Sequence, residues 1–311
     1  MAYSPDPARI SAPVAGSARQ TIASGNMLGV AAMMTWAAGF PAAEVLLQNW
    51  PSLTIITARL IMALCVLFPL WLLVEGPSRI LNANWPRALV IGGFGFGVGT
   101  YLLLVAQAFT DPVTVALVAS CAPLIGAILE VRAKSRRLNK QFAFGVVASI
   151  IGGIIATSGL APIQLGLGAL CAIVATTLFT WASMKTVQAF PELGPVGRST
   201  ITFSGALLMV ATLLVGSAVL GFDVTPRVAI DMEQIGMLAI YAIVAMSVSQ
   251  IMFIGAVDKL GVAVATFHIN TAPFYVMVIM VMLGSNWNWT QAIGAAIVGL
   301  GVVASQIQSR R

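Results

Sequence analysis

Residues 113–159 read VTVALVASCAPLIGAILEV (113–131), RAKSRRLNK (132–140) and QFAFGVVASIIGGIIATSG (141–159). Two apolar runs flank a short segment that carries Arg132, Lys134, Arg136, Arg137 and Lys140. Each run is 19 residues long, which as an α-helix covers about 28 Å, close to the thickness of a bilayer's hydrocarbon core. The pattern reads as helix, basic turn, helix across a membrane.

The same alternation extends over the whole chain. Ten apolar runs predict spans over 26–47, 53–75, 87–109, 113–131, 141–159, 165–188, 199–220, 234–257, 262–283 and 290–307. The gaps are short and carry turn residues: Asn49-Trp50-Pro51, Asp111-Pro112, Ala161-Pro162, Pro191 to Pro195, and Ser285 to Asn288. Positive charge falls in alternate gaps. Fourteen of the 16 Lys/Arg residues lie on one side, only Arg227 lies on the other, and Arg59 alone sits inside a run. Cationic segments resist translocation, so the basic side is expected to be cytoplasmic, with both termini there. An even number of spans follows.

Composition agrees. Apolar residues make up 59% of the chain and charged residues 8%, and the mean hydropathy is +0.96. A net charge of +6 dispersed over one set of loops follows the orientation rule and gives no nucleic-acid signature. The Arg132–Lys140 cluster could touch anionic headgroups of membrane lipid, but topology alone accounts for it. Cys65, Cys121 and Cys171 all fall in apolar runs, so neither a disulfide framework nor a metal cluster is expected. Residues 1–25 lack an apolar core and read as a disordered cytoplasmic tail, as do 308–311. Trp50, Trp71, Trp85, Trp287 and Trp289 lie near span ends, where indoles favour the headgroup region.

The two halves, 26–159 and 165–307, repeat each other. Ala122-Pro123 in span four matches Ala272-Pro273 in span nine. Gly145 and Gly152 in span five match Gly294 and Gly301 in span ten, with the same seven-residue step. Gln141 and Gln291 open those spans. Thr35-Trp36-Ala37 in span one matches Thr180-Trp181-Ala182 in span six. A five-span unit enters the membrane in the opposite sense the second time, so the repeats are expected to be inverted. Inverted repeats that meet at a midplane site are the architecture of alternating-access carriers.

A 5+5 inverted repeat of this length resembles the drug/metabolite transporter superfamily, in particular its ten-span EamA-type exporters. The residues that carry the resemblance are Trp36, Trp181, Arg59, the stretch Ala108–Pro123 with its glycine-stepped span five, and Gly255–Pro273 followed by Gly294–Gly301. Within that group the chain looks closest to YddG-type exporters of aromatic amino acids. The resemblance implies an inner-membrane carrier that works without ATP. Two departures stand out. The loop between spans four and five lacks a Gly-Glu acid, and the first span has Trp36, not a carboxylate, at mid-depth, with Glu44 near its outer end. A proton/drug antiport built on a first-span Glu is therefore not expected.

Few polar groups lie within the spans, and each is costly there. Arg59 either receives a substrate carboxylate or snorkels and bonds backbone carbonyls. His268, the only histidine, and Asn270 lie just before Pro273, and Gln250 lies in span eight. Each either lines a cavity or bonds a neighbouring helix. Trp36, Tyr101 and Trp181 are either stacking surfaces for a substrate or packing. Pro123 and Pro273 are expected to free the carbonyls of Ala119 and Ile269 and to kink gating helices. Gly93/Gly97 and Gly95/Gly99 are close-approach pairs for neighbouring helices.

No Walker sequence, His-Glu-x-x-His, Gly-x-Ser-x-Gly or paired intramembrane Asp occurs. The expectation is an all-α, ten-span secondary transporter without cofactor, functional as a monomer, that exports aromatic and other neutral amino acids through a central cavity. The alternatives are an exchanger of nucleotide sugars or phosphorylated metabolites, which needs several cavity cations, and a passive facilitator. An enzyme is not expected.

Overall fold

The computed structural model describes residues 15–109, 118–119, 121–135, 140–156, 166–284 and 286–306. The tail residues 1–14 and 308–311, the turns Asp111-Pro112 and Ala161-Pro162, and Arg136 and Arg137 of the basic loop lie outside them. All regular structure in the described residues is helical.

The helices begin and end where local chemistry places them. Helix α1 (Ala15–Ala37) runs into α2 (Gly39–Leu47) with a break at Ala38. Pro41 explains the break, because its ring excludes the carbonyl of Ala37 and it offers no N–H. Residues 15–25, expected as tail, are helical. A Cβ on Gly25 would lie 2.7 Å from the Leu260 side chain, so packing carries the helix past the apolar run. Helix α3 (Ser52–Glu75) ends at Gly76, which has φ +81, and the short α4 (Pro77–Leu81) follows. Asn84 caps α5 (Trp85–Val90) by accepting from the Arg87 N–H at 3.2 Å. The helix continues as a π-helical stretch, Ile91–Val98, into α6 (Gly99–Phe109).

Then come α7 (Ala122–Arg132), α8 (Lys140–Ala156), α9 (Leu167–Ala189) and α10 (Pro195–Val219). Asp231 caps α11 (Met232–Ala239) by accepting from the Gln234 N–H at 2.8 Å. That helix passes through a second π-helical stretch, Ile240–Val248, into α12 (Ser249–Leu260). Helix α13 (Val262–Ala265), a 3₁₀ stretch (Thr266–Thr271) and α14 (Ala272–Met282) form one rod, and α15 (Trp289–Gln306) follows.

Seven of these rods are long and apolar enough to cross a membrane: Gln20–Leu47, Ser52–Glu75, Trp85–Leu103, Leu167–Ala189, Pro195–Val219, Met232–Leu260 and Val262–Met282. Two shorter apolar helices, Lys140–Ile155 and Ala292–Ser305, fall where the sequence places spans five and ten. Helix α7 falls in the second half of span four, whose start lies outside the described residues. The surface is that of a membrane protein. Met27, Leu73, Phe94, Leu208, Val215 and Leu300 are all more than half exposed, an arrangement water would penalise and lipid favours.

Lipid tails give no hydrophobic drive between helices, so close packing holds the bundle. Both expected glycine pairs on the third span are used, on different faces. Gly93 and Gly97 approach Gly205, Ala206 and Met209 of α10, while Gly95 and Gly99 approach Ala182 and Phe179 of α9. The largest apolar cluster joins α3, α9, α10 and the 85–98 segment around Trp71, Phe96, Phe190 and Phe203. Trp71, expected at the headgroup level, is fully buried there, among Phe68 and Trp85. Its indole N–H donates to Glu75 at 3.2 Å, so its polar atom is satisfied within the protein.

The bundle has a basic end and an opposite end. At the opposite end Trp50 donates to Gln234 at 2.8 Å, Thr54 donates to the Val224 carbonyl at 2.6 Å, and Arg227 N–H donates to the Asn49 carbonyl at 2.8 Å. At the basic end Arg87, Lys185, Arg198 and Lys259 collect at the ends of their helices.

Candidate translocation site

Toward the opposite end, three spans converge on one ring. The Arg59 guanidinium lies over the face of Tyr241, with its carbon 4.6 Å from the ring centroid. A Cβ on Gly39 would lie 3.0 Å from the same ring, so only a glycine lets α2 approach it. Arg59 is seven residues from the start of α3 and Tyr241 nine from the start of α11, so both lie about 10–14 Å from that end. For a half-buried guanidinium such a cation–π contact contributes about 1 kcal/mol. The Arg59 Nε is buried and has no hydrogen-bond partner among the described residues. Trp36 and Phe40, on either side of the α1–α2 break, pack edge to face with centroids 5.0 Å apart. Trp36 is 36% exposed and Tyr101 38%, so both keep a free face.

Deeper in, α12 meets α1 where Ser249 donates to the Ala32 carbonyl at 2.9 Å. The Gln250 Nε2 beside it is buried without a partner among the described residues. Arg59 and Gln250 thus supply unpaired donors at two depths, the chemistry that binds a carboxylate or carbonyl oxygen.

The polar run before Pro273 is used differently. His268 is 2% exposed. Its Nδ1 lies 3.2 Å from the Ala265 carbonyl, and a Cβ on Gly29 would come within 2.7 Å of its ring. Asn270 donates to Ser149 Oγ at 2.7 Å and ties this rod to α8. Thr266 and Thr271 donate to backbone carbonyls one turn back. These bonds satisfy groups that the 3₁₀ geometry leaves short of partners. His268 lies about 9 Å from the basic end of its rod, and Arg59 lies near the other end. The expected site residues therefore occupy different depths along the bundle.

The prolines differ from expectation. Pro123 and Pro273 each stand in the first turn of an α-helix, where no N–H is required. The Ile269 carbonyl accepts the Ala272 N–H, as 3₁₀ spacing allows, so it is not free. The irregularity at Pro273 is a change of helix type. The Ala119 carbonyl, expected to be freed by Pro123, adjoins Ser120, which lies outside the described residues.

Two carboxylates that the sequence did not single out bond helix starts at the basic end. Glu75, at the end of α3, accepts the Gly197 N–H at the start of α10 at 2.9 Å. Glu130, near the end of α7, is 4% exposed and accepts the Ala263 N–H at the start of α13 at 3.2 Å. Gly261, with φ +81, sets up that start. Each carboxylate meets the positive end of a helix from the other half of the chain. Arg198, 5% exposed, adds an ion pair to Asp258 at 3.0 Å and donates to the Phe190 carbonyl at 2.8 Å. An acid near the end of an otherwise apolar run, as in Leu129-Glu130-Val131, is the signal that could have flagged Glu130. Tyr241 carried no comparable signal.

Residues 23–158 match the EamA-like transporter family. The described helices and this match agree. The match covers the first half of the bundle, which is similar to that family of membrane transporters. The family matched is one of transporters and not of enzymes. A crystal structure of a protein 17% identical to this chain superposes with a TM-score of 0.77 and covers 93% of this chain and 99% of the other. At that identity the likeness speaks for fold alone. No curated protein matches the sequence.

Proposed function

We propose that this chain is an EamA-type secondary transporter that works without ATP and exports amino acids, aromatic and other neutral ones, across the cell's inner membrane by alternating access. The observation that carries the reading is Arg59, a cation held over Tyr241 with a buried Nε–H left unpaired. A zwitterion brings one carboxylate, and one such donor answers it without a surplus of charge. Trp36 and Tyr101 offer exposed rings for a large side chain, and Gln250 offers a second donor. Trp181, His268 and Asn270 belong to the same pathway nearer the basic end, with Pro123 and Pro273 at the helix starts that rock.

The proposed frame is ten spans in two inverted five-span repeats, 26–159 and 165–307, with the basic end and both termini in the cytoplasm. Several observations support it. The third and eighth rods each contain a π-helical stretch, Ile91–Val98 and Ile240–Val248. Pro123 and Pro273 each open an α-helix. Helices α8 and α15 pack through matched glycines, Gly145 against Gly301 and Gly152 against Gly294, which is the reciprocal crossing a two-fold pseudo-axis produces. Glu75 and Glu130 both cap helices of the other half at the basic end, so that end is the closed one in this state.

The test is counterflow. Liposomes holding the purified protein and unlabelled phenylalanine should accumulate labelled phenylalanine, methionine and threonine saturably, and Arg59→Gln should slow this at least ten-fold. Wild-type vesicles that move a labelled nucleotide sugar but no amino acid, or that show only unsaturable leak, would remove this substrate class.

A further inference from the structure

Two adjoining cavities open at the basic end, and the site around Arg59 uses neither. The larger, about 450 Å³, is lined by Arg87, Val90, Ile91, Trp181, Lys185 and Gln188, with Ala189. The smaller, about 280 Å³, is lined by Glu130, Met184, Asp258 and again Gln188, among others. Helix α9 explains the arrangement. Steps of 100° place Trp181, Lys185 and Gln188 in one sector and Met184 and Val187 in the next, with Gln188 at the border. One cavity thus has a cationic wall, and its neighbour has carboxylates that are already engaged, Asp258 by Arg198 and Glu130 by the Ala263 N–H.

Topology accounts for cations at this end. It does not account for two of them sharing a cavity with an indole. Nor does it explain why neither Arg87 nor Lys185 forms an ion pair with a carboxylate among the described residues. Lys185 donates to the Gln188 side-chain oxygen at 3.3 Å instead. The volume falls within the range of small-molecule sites.

We propose that this mouth is a first binding site for the substrate, a zwitterionic amino acid with an apolar or aromatic side chain. This inference rests on the amino-acid reading above. Arg87 and Lys185 take the carboxylate, which forms charge-assisted bonds with both. Trp181, Val90 and Ile91 take the side chain. The Gln188 oxygen, released by Lys185, accepts from the ammonium. Asp258 is paired with Arg198 and Glu130 with the Ala263 N–H, so the choice of a zwitterion rests on the indole and the Gln188 oxygen, neither of which a phosphate dianion engages. The substrate is therefore gathered and oriented outside the closed basic end before the bundle opens.

The test uses p-benzoyl-L-phenylalanine, a photoreactive phenylalanine, and its carboxamide. The full-length protein is placed in nanodiscs of neutral phosphatidylcholine, irradiated with each probe, and the adducts are mapped by peptide mass spectrometry. The expected adducts fall on residues 85–91 and 181–189. They are expected to drop about ten-fold or more with the carboxamide and in R87Q/K185Q, as loss of a charge-assisted bond implies, and to persist in R59Q. Unlabelled phenylalanine should compete. Equal labelling of R87Q/K185Q and wild type, or no wild-type adduct there, overturns the proposal. So does competition by inorganic phosphate equal to that by phenylalanine, or labelling there that anionic phosphatidylglycerol abolishes, since either marks a phosphate or lipid-headgroup site. Labelling as expected in a protein that shows no phenylalanine counterflow keeps this site and removes the export reading instead.

Discussion

At Tyr241 the aromatic face, not the hydroxyl, is what the Arg59 guanidinium meets. Tyr241→Phe is therefore expected to keep the detergent-solubilised protein's thermal midpoint close to wild type. Tyr241→Leu is expected to lower stability by about 1 kcal/mol, read as a fall in that midpoint, and to slow phenylalanine counterflow. Equal midpoints for the two variants would show that the cation–π contact contributes nothing. Gly29 makes a second residue-level case. An added methyl would come within 2.7 Å of the His268 ring, so Gly29→Ala should destabilise by about 1–3 kcal/mol. His268→Ala makes room, and the double variant should recover part of the loss. Strict additivity in that cycle would mean the two residues do not press on each other.

At the scale of elements, α8 and α15 are held together by the absence of side chains. Gly152 faces the Gly294 carbonyl at 2.6 Å from where a Cβ would stand, and Gly145 faces the Gly301 carbonyl at 2.7 Å. Backbone cannot step aside as a flexible side chain can. Gly152→Leu should therefore lower the thermal midpoint or abolish folded expression, while Gly299→Leu, where nothing lies within 4 Å, should leave it unchanged. A size-exclusion profile with a thermal ramp decides between them. The seven-residue glycine step was visible in the sequence, because close packing leaves a compositional mark. The polar run Thr266–Thr271 was visible too, but its use was not. Whether a buried Asn lines a cavity or bonds a neighbouring helix depends on what faces it, and Ser149, which accepts from Asn270, is 121 residues away.

For the whole molecule, the basic end is fastened by bonds between the halves. Glu130 to Ala263 and Glu75 to Gly197 each join a carboxylate to a helix start of the other half, and within the second half Arg198 pairs with Asp258. Glu130→Ala removes the acceptor and should favour opening of this end; Glu130→Gln keeps a side-chain oxygen and should have a smaller effect. Met184, which is buried and lines the smaller cavity, can report this. In a protein with Cys65, Cys121 and Cys171 replaced, Met184→Cys should react several-fold faster with a membrane-impermeant maleimide when combined with Glu130→Ala. Equal rates in both backgrounds would mean Glu130 does not hold the end closed.

The sequence by itself determined that this chain is a multi-pass, all-helical membrane protein with its positive charge at one end. Those properties follow from run length, hydropathy and charge alternation, which act locally and leave their mark in each segment. It also carried the glycine faces and the resemblance to EamA-type transporters. Only the tertiary structure decided which polar groups are free and which are bound. It placed Tyr241 under Arg59, gave Asn270 to Ser149, buried Trp71, and showed Pro273 starting a helix after a 3₁₀ turn. The reason is physical. In lipid every buried polar group takes whatever partner the neighbouring helix presents, and that neighbour is fixed by how the whole bundle packs, not by the residues on either side in the chain.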